Sequence, residues 1–186
     1  MDNLLRFAVA LLLLLLHACL TPDPLSLAAQ APPWRVVVAP AAEPGDPLVV
    51  SGTVVASDGV TPLPGATVQV HQTDAAGYYT ARGEPGSEPR LRGTMRTDAE
   101  GRYEFRTIRP GPYPGGGIPA HIHFVVAHPG SRERRFEIVF EGDRYLTERI
   151  RADARSPRGG HALCAPTQDA DGVLRCRQDI RMEPLG

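Results

Sequence analysis

Lysine is absent from this 186-residue chain; all twenty basic residues are arginine. No function follows from that replacement of one cation by the other. Net charge is nearly absent as well, at −1, which removes the electrostatic ground for a nucleic acid or an anionic membrane surface as partner. Aromatic residues make up 6% and apolar residues 42%, enough for one modest core and not for a second. The longest apolar run, at 7–16, has ten residues and is too short to span a bilayer. Helical periodicity is missing apart from a short stretch at 143–151. Cysteine is scarce, with three residues, whereas glycine and proline are abundant at nineteen each. That balance argues for short strands joined by many turns.

Residues 1–30 read as a signal peptide and tether, with Arg6 as a weak positive flank to the apolar run. Leu16-His17-Ala18-Cys19 resembles a lipobox, which makes Cys19 a lipidation candidate and the only link to a membrane. Small residues at Ser26-Leu27-Ala28 and Ala29-Gln30-Ala31 offer ordinary cleavage instead. Either outcome exports the protein to a periplasm, a cell surface or the medium. The fold then retains Cys164 and Cys176, expected as a disulfide in an oxidising compartment.

Residues 31–46 form a Pro/Ala-rich lead-in with one strand expected at 34–39, and 47–186 the domain proper. Strands are expected at 48–55, with Gly52 as a bulge, and at 66–72, 95–97, 102–108, 121–127, 135–141 and 173–182. A Gly/Pro/Arg-rich excursion fills 74–93. Short strands between turn signals predict an all-β, mixed β-sandwich with long loops.

The chemistry centres on Pro119-Ala120-His121-Ile122-His123-Phe124. Alternation along a strand sends His121 and His123 to one face and Ile122 to the other. Two adjacent imidazoles are a metal-ligand pair that suits zinc, copper or iron. Phenolate is a hard, strongly donating anion, so tyrosines within reach select ferric iron. Tyr103 reads as core and Tyr145 as structural; Asp98 and Asp143 read as turn formers, and the 132–135 arginine cluster as a solvated hairpin end. His128 and His161 fall in loops with no assigned role.

Four segments match a known family in order: Val70-His71-Gln72-Thr73-Asp74-Ala75-Ala76-Gly77-Tyr78-Tyr79, Thr97-Asp98-Ala99-Glu100-Gly101-Arg102-Tyr103, Ile108-Arg109-Pro110-Gly111-Pro112-Tyr113-Pro114, and the His-x-His segment. Phe140-Glu141-Gly142-Asp143 closes the series. The chain thereby resembles the intradiol ring-cleavage dioxygenases, non-haem Fe(III) enzymes that open catechols between their two hydroxyls with O2. The resemblance implies Tyr79, Tyr113, His121 and His123 as ligands of Fe(III), with Tyr79 and His121 equatorial and Tyr113 and His123 axial. It implies a catalytic role for Tyr113, which leaves the metal as a small aromatic diol chelates it, and a cis,cis-muconate-type diacid as product.

Departures from the better-known members bear on the substrate. Ile118 stands where they carry an arginine that stabilises the substrate carbanion; Arg82, Arg92 or Arg109 would have to replace it. Gly115-Gly116-Gly117 shortens the loop after Tyr113 and implies a wide mouth, and Glu137 takes the place of a neutral amide near the iron. His71 is a further pocket candidate. The helical dimerisation region of the cytoplasmic catechol enzymes is replaced by the signal-like stretch, as expected of a compact extracytoplasmic branch; the oligomeric state is left open. The fold implied is an immunoglobulin/transthyretin-like sandwich, and a rival resemblance, carried by Gly65-Ala66, Thr97-Asp98 and Pro110-Gly111, is to transthyretin-like and carboxypeptidase-regulatory-like modules, which bind or space without catalysis. That module has no use for Tyr79 or the histidine pair.

Overall fold

Alternating apolar and polar positions build two β-sheets whose inner faces share one core. The computed structural model describes residues 32–81 and 88–186, so the signal stretch, Cys19 and Arg82 lie outside the described residues. In chain order the elements are β1 (Arg35–Val37), β2 (Pro47–Val55), β3 (Thr67–Gln72), β4 (Leu91–Arg96), β5 (Arg102–Ile108), β6 (His121–Ala127), β7 (Arg134–Phe140), helix α1 (Glu148–Ala154), β8 (His161–Cys164), β9 (Thr167–Gln168), β10 (Leu174–Arg177) and β11 (Ile180–Arg181). One sheet runs β1-β5-β2-β10-β9, with β11 also on β2; the other runs β4-β3-β6-β7-β8. Parallel pairs (β1 with β5, β10 and β11 with β2, β7 with β8) mix with antiparallel ones. The expected mixed β-sandwich is thus the observed architecture.

Val50, Val54, Tyr103 and Phe105 from the first sheet meet Val68, Val70, Met95, Ile122, Phe124 and Ile138 from the second. Phe124 anchors the aromatic part, stacked on Phe136 at 4.9 Å and tilted against Phe105 at 5.8 Å. Tyr103 is core, as expected, and its hydroxyl donates to the Gln178 carbonyl at 2.6 Å. Truncating a buried phenylalanine in such a cluster costs about 3–5 kcal/mol.

Several strand-level expectations need correction. Gly52 is not a bulge: pairing of β2 with β5 runs without interruption from Pro47↔Ile108 to Thr53↔Arg102. Glycine is required there because the Gln178 carbonyl passes where a Cβ would lie, 1.9 Å away. Strand β4 begins at Leu91, not 95. Its alternation is masked by Gly93, which has no side chain because Val36 and Val38 lie against it. The short helix starts at Glu148, since Thr147 caps it by accepting from Ile150 N while Asp143 is used in the preceding turn. The 132–135 cluster is not wholly solvated: Arg134 is half-buried, lies over the Phe136 ring and donates to the Arg181 carbonyl.

Cys164 at the end of β8 and Cys176 in β10 form the expected disulfide, with Cα atoms 6.0 Å apart. The bridge fastens the edge of one sheet to the other. It closes a separation of 12 residues, for which chain entropy gives about 3 kcal/mol. Replacing both cysteines by serine should lower unfolding free energy by about that amount in denaturant titrations, leaving the far-ultraviolet spectrum unchanged.

Candidate metal centre

Two loops and one strand deliver four polar side chains to one point. Tyr79 follows β3 and Tyr113 follows β5, while His121 and His123 open β6. The Tyr79 hydroxyl lies 2.6 Å from the Tyr113 hydroxyl and 2.8 Å from His123 Nε2. The Tyr113 hydroxyl lies 3.1 Å from His121 Nε2, and the two Nε2 atoms are 3.1 Å apart. The structure therefore brings together the four residues singled out in the sequence.

The two tyrosine loops are sewn to each other by the end of β3. Gln72 Nε2 donates to the Ile108 carbonyl at 2.9 Å and Gln72 Oε1 accepts from Thr107 at 2.8 Å. Thr73 donates to the Gly111 carbonyl, and Gly111 N–H donates back to the Asp74 carbonyl, both at 2.8 Å. Asp74 Oδ1 accepts from the N–H groups of Ala76 and Tyr78, folding the turn ahead of Tyr79. Gly77, at φ +88°, and Gly111 permit the approach: a Cβ on either would lie 2.1 Å from Pro112 O or 2.3 Å from Ala75 O. Arg90 closes the far side. Its N–H donates to the Tyr79 carbonyl, and its guanidinium binds Glu43 and Asp74.

A count of protons shows what the cluster is missing. His121 Nδ1 lies 2.8 Å from the Pro119 carbonyl and His123 Nδ1 lies 3.2 Å from Glu137 Oε1. Both partners only accept, so each Nδ1 carries the proton and each Nε2 presents a lone pair. Burial lowers the basicity of His121, keeping it neutral. Burial, and then the neighbouring Tyr113 hydroxyl, raise the Tyr79 phenol well above its ordinary value. Two phenol protons can satisfy at most two of the four contacts; the others set lone pair against lone pair. A cation at the centre removes that opposition and favours ionised phenols. The donor set fits a hard trivalent ion.

A second donor set shares the histidines: atoms of His121, His123 and Glu137 lie within 4.8 Å of one another and can hold a metal ion. Glu137 approaches His123 from the Nδ1 side, away from the phenols, and that hydrogen bond holds its carboxyl below the usual range. The Nε2-and-phenol set engages more donors and leaves the Glu137 contact intact.

Of the other candidates, His71 stacks on His123 at 4.3 Å, and burial lowers its pKa to about 4. It joins two open cavities, one of about 610 Å³ bounded by Gln69, Arg92 and Thr94, the other of about 240 Å³ bounded by His123, Arg135 and Glu137. A methyl group added at Gly115 or Gly117 would meet nothing within 4 Å, so the mouth is open there, but Gly116 is closed off by the Tyr145 hydroxyl. Ile118 is exposed at the surface. Arg109 lies over the Phe140 ring and Arg92 pairs with Glu88. Asp143 does more than form its turn, since Oδ2 accepts from Ala120 N next to His121. His161 carries no signal in the sequence, yet it lies in β8 with Nδ1 2.6 Å from Asp153 Oδ2 and Nε2 3.8 Å from Glu137 Oε2. Only the parallel pairing of β7 with β8 reveals that contact.

A family model described as Dioxygenase matches residues 27–180. The chain belongs to the intradiol ring-cleavage dioxygenase family. It is 37% identical over 120 residues to catechol 1,2-dioxygenase 2 of Acinetobacter lwoffii, spanning 56% of this chain and 43% of that protein. It is 33% identical over 168 residues to the protocatechuate 3,4-dioxygenase beta chain of Burkholderia cepacia, covering 75% and 68%. Among solved structures, the dioxygenase domain of a dioxygenase–carbohydrate-binding protein fusion from Streptomyces sp. SirexAA-E superposes with a TM-score of 0.64 at 28% identity, over 89% of this chain and 92% of that one. The chain thus spans less than half of the catechol enzyme and nearly all of the Streptomyces domain.

Two tests probe how the chain holds its phenols. Gly111→Ala should push the two loops apart, reducing the metal taken up per chain and costing about 1–3 kcal/mol of stability; metal analysis and denaturant titration read the two effects. Arg90 holds the Glu43 carboxyl below its ordinary value through their hydrogen bonds. A depressed folded pKa gives stability that is fully present above the unfolded value of about 4.5 and lost as pH falls through the folded value. Melting temperatures recorded down an acid series should therefore fall less steeply for Glu43→Gln than for the parent.

Proposed function

We propose that this protein is an exported non-haem Fe(III) dioxygenase that cleaves catecholic aromatics between their hydroxyls with O2, giving cis,cis-muconate-type diacids. The observation that carries this reading is the convergence of two phenols and two Nδ1-protonated imidazoles with too few protons for their contacts. Tyr79, Tyr113, His121 and His123 would hold the iron. When bound, the ferric ion would draw both catechol oxygens into its shell and leave the ring electron-rich enough to react with O2. Family membership and the disulfide support the activity and the export, respectively.

The chain's own residues divide the remaining work. Tyr79 is held by the Asp74 turn, by Arg90 and by the seam to Gly111, so it stays in place. Tyr113 is followed by a loop with open space beside Gly115 and Gly117, and its oxygen, as a phenolate, would accept a catechol proton on leaving the metal. His121 and His123 keep their protons on Nδ1, so Nε2 remains a neutral donor throughout. The space beside Gly115 and Gly117, and separately the open cavities beside His71, would suit substituted or larger catechols.

Protein recovered from an oxidising compartment should be burgundy through phenolate-to-ferric charge transfer, and colourless after iron is chelated away. Tyr79→Phe should lose most of that absorbance. Oxygen uptake across a catechol series should be greatest with larger, uncharged members; a colourless parent, or one most active on catechol and protocatechuate, contradicts the reading.

A further inference from the structure

Cross-strand register places Arg92, His71, His123, Glu137 and His161 in one row, a single residue from each strand of the β4-β3-β6-β7-β8 sheet. His123 stands in the middle, with Nε2 in the phenol cluster and Nδ1 against Glu137 Oε1 at 3.2 Å. The other Glu137 oxygen lies 3.8 Å from His161 Nε2, beyond a hydrogen bond, so the His161 ring stands against the carboxylate without bonding to it. His161 Nδ1 is hydrogen-bonded to Asp153 Oδ2 at 2.6 Å, which ends the row on α1. The backbone reinforces it: Glu137 N–H donates to the Gly160 carbonyl at 2.9 Å, and Gly159 has no side chain because the Asp153 carbonyl passes 2.0 Å from its Cβ position.

We propose that Glu137 is a positioning residue for the metal centre: its carboxylate on the Nδ1–H of His123 strengthens Nε2 as a donor to ferric iron, and the pairing of β8 with β7, with the His161 ring fixed by Asp153, holds that carboxylate in register. The proposal rests on the ligand set put forward above. A ligand histidine that gives its second N–H to an anion is a stronger base than one that gives it to a neutral acceptor, and it is fixed in ring orientation. The two histidines differ in this respect, since His121 faces only the Pro119 carbonyl. An amide at 137 would keep the hydrogen bond and lose the charge. Both oxygens of Glu137 are directed at imidazoles, one on each neighbouring strand, and this favours a supporting role over direct ligation.

The test uses the ferric forms of the parent, Glu137→Gln, His161→Phe and the double variant, with iron affinity measured by chelator competition and the visible spectrum recorded for each. Glu137→Gln should stay burgundy, bind ferric iron about 10–100-fold more weakly and absorb at longer wavelength, because a weaker imidazole donor leaves the ion a better acceptor of phenolate charge. His161→Phe should shift both readouts in the same direction by less, and should add nothing when glutamine is already at 137. Glu137→Asp, which keeps the charge, should recover part of the affinity. An unchanged spectrum and affinity in Glu137→Gln overturns the proposal, as does complete loss of iron, which would make Glu137 a ligand. Equal effects of His161→Phe in both backgrounds remove His161 from the arrangement. A parent that takes up no ferric iron overturns the ligand set itself, and so is told apart from a failure at Glu137.

Discussion

Lone-pair crowding among Tyr79, Tyr113, His121 and His123 is the constraint around which the rest of this sandwich is organised. Buried polar atoms that face one another without a proton between them cost free energy, of the order of 1–3 kcal/mol for each group left unsatisfied. Such an arrangement persists only where the surroundings over-determine it. Here the strand geometry of β6 fixes both imidazoles on one face, and the carbonyl of Pro119 and carboxylate of Glu137 fix their tautomers. The Gln72-Thr73-Asp74 seam fixes the phenols. Each device acts on a different atom of the cluster, and together they preorganise the shell proposed to hold the metal.

Rigidity is unevenly distributed across that shell. The imidazoles stand on a central strand paired on both sides, and Tyr79 is locked into a turn stitched at Asp74 and Arg90. Tyr113 leads into a loop with open space beside Gly115 and Gly117. An enzyme of the proposed kind needs three ligands that stay and one that yields, and the density of hydrogen bonds along the chain matches that division. Disulfide Cys164–Cys176 lies at the far end of β8, the strand that begins with His161. Clamping β8 to the other sheet therefore steadies the end of the polar row as well as the fold.

Local sequence is enough for some of this and cannot suffice for the rest. The pairing of His121 with His123 on one face follows from a two-residue period and needs no tertiary information. Tyr103 and the alternating valines of β3 are legible as core for the same reason. Tyr79 and Tyr113 can be placed at the site only through family resemblance, because nothing local draws two loops together; the seam that does so uses a buried glutamine and a threonine, which carry no such signal on their own. Gly52 and Gly93 mislead because a glycine needed for close packing looks the same in sequence as one needed for a bulge or a loop. His161 is invisible for a stronger reason: its relation to Glu137 depends on parallel register between strands separated by a helix.

The polar row also changes how the loss of the family arginine reads. By the resemblance, Ile118 stands where an arginine is expected and Glu137 where an amide is expected, and Glu137 places a carboxylate beside His123. Both changes make the centre less hospitable to an anionic ring substituent and more favourable to a trivalent cation. Of the arginines considered as replacements, Arg92 is paired with Glu88 and Arg109 lies over Phe140. If stabilisation of the substrate has moved from a cation at the mouth to a stronger donor set behind the iron, the two substitutions are one adjustment. A site tuned in that way would hold ferric iron more firmly, as the proposed function requires.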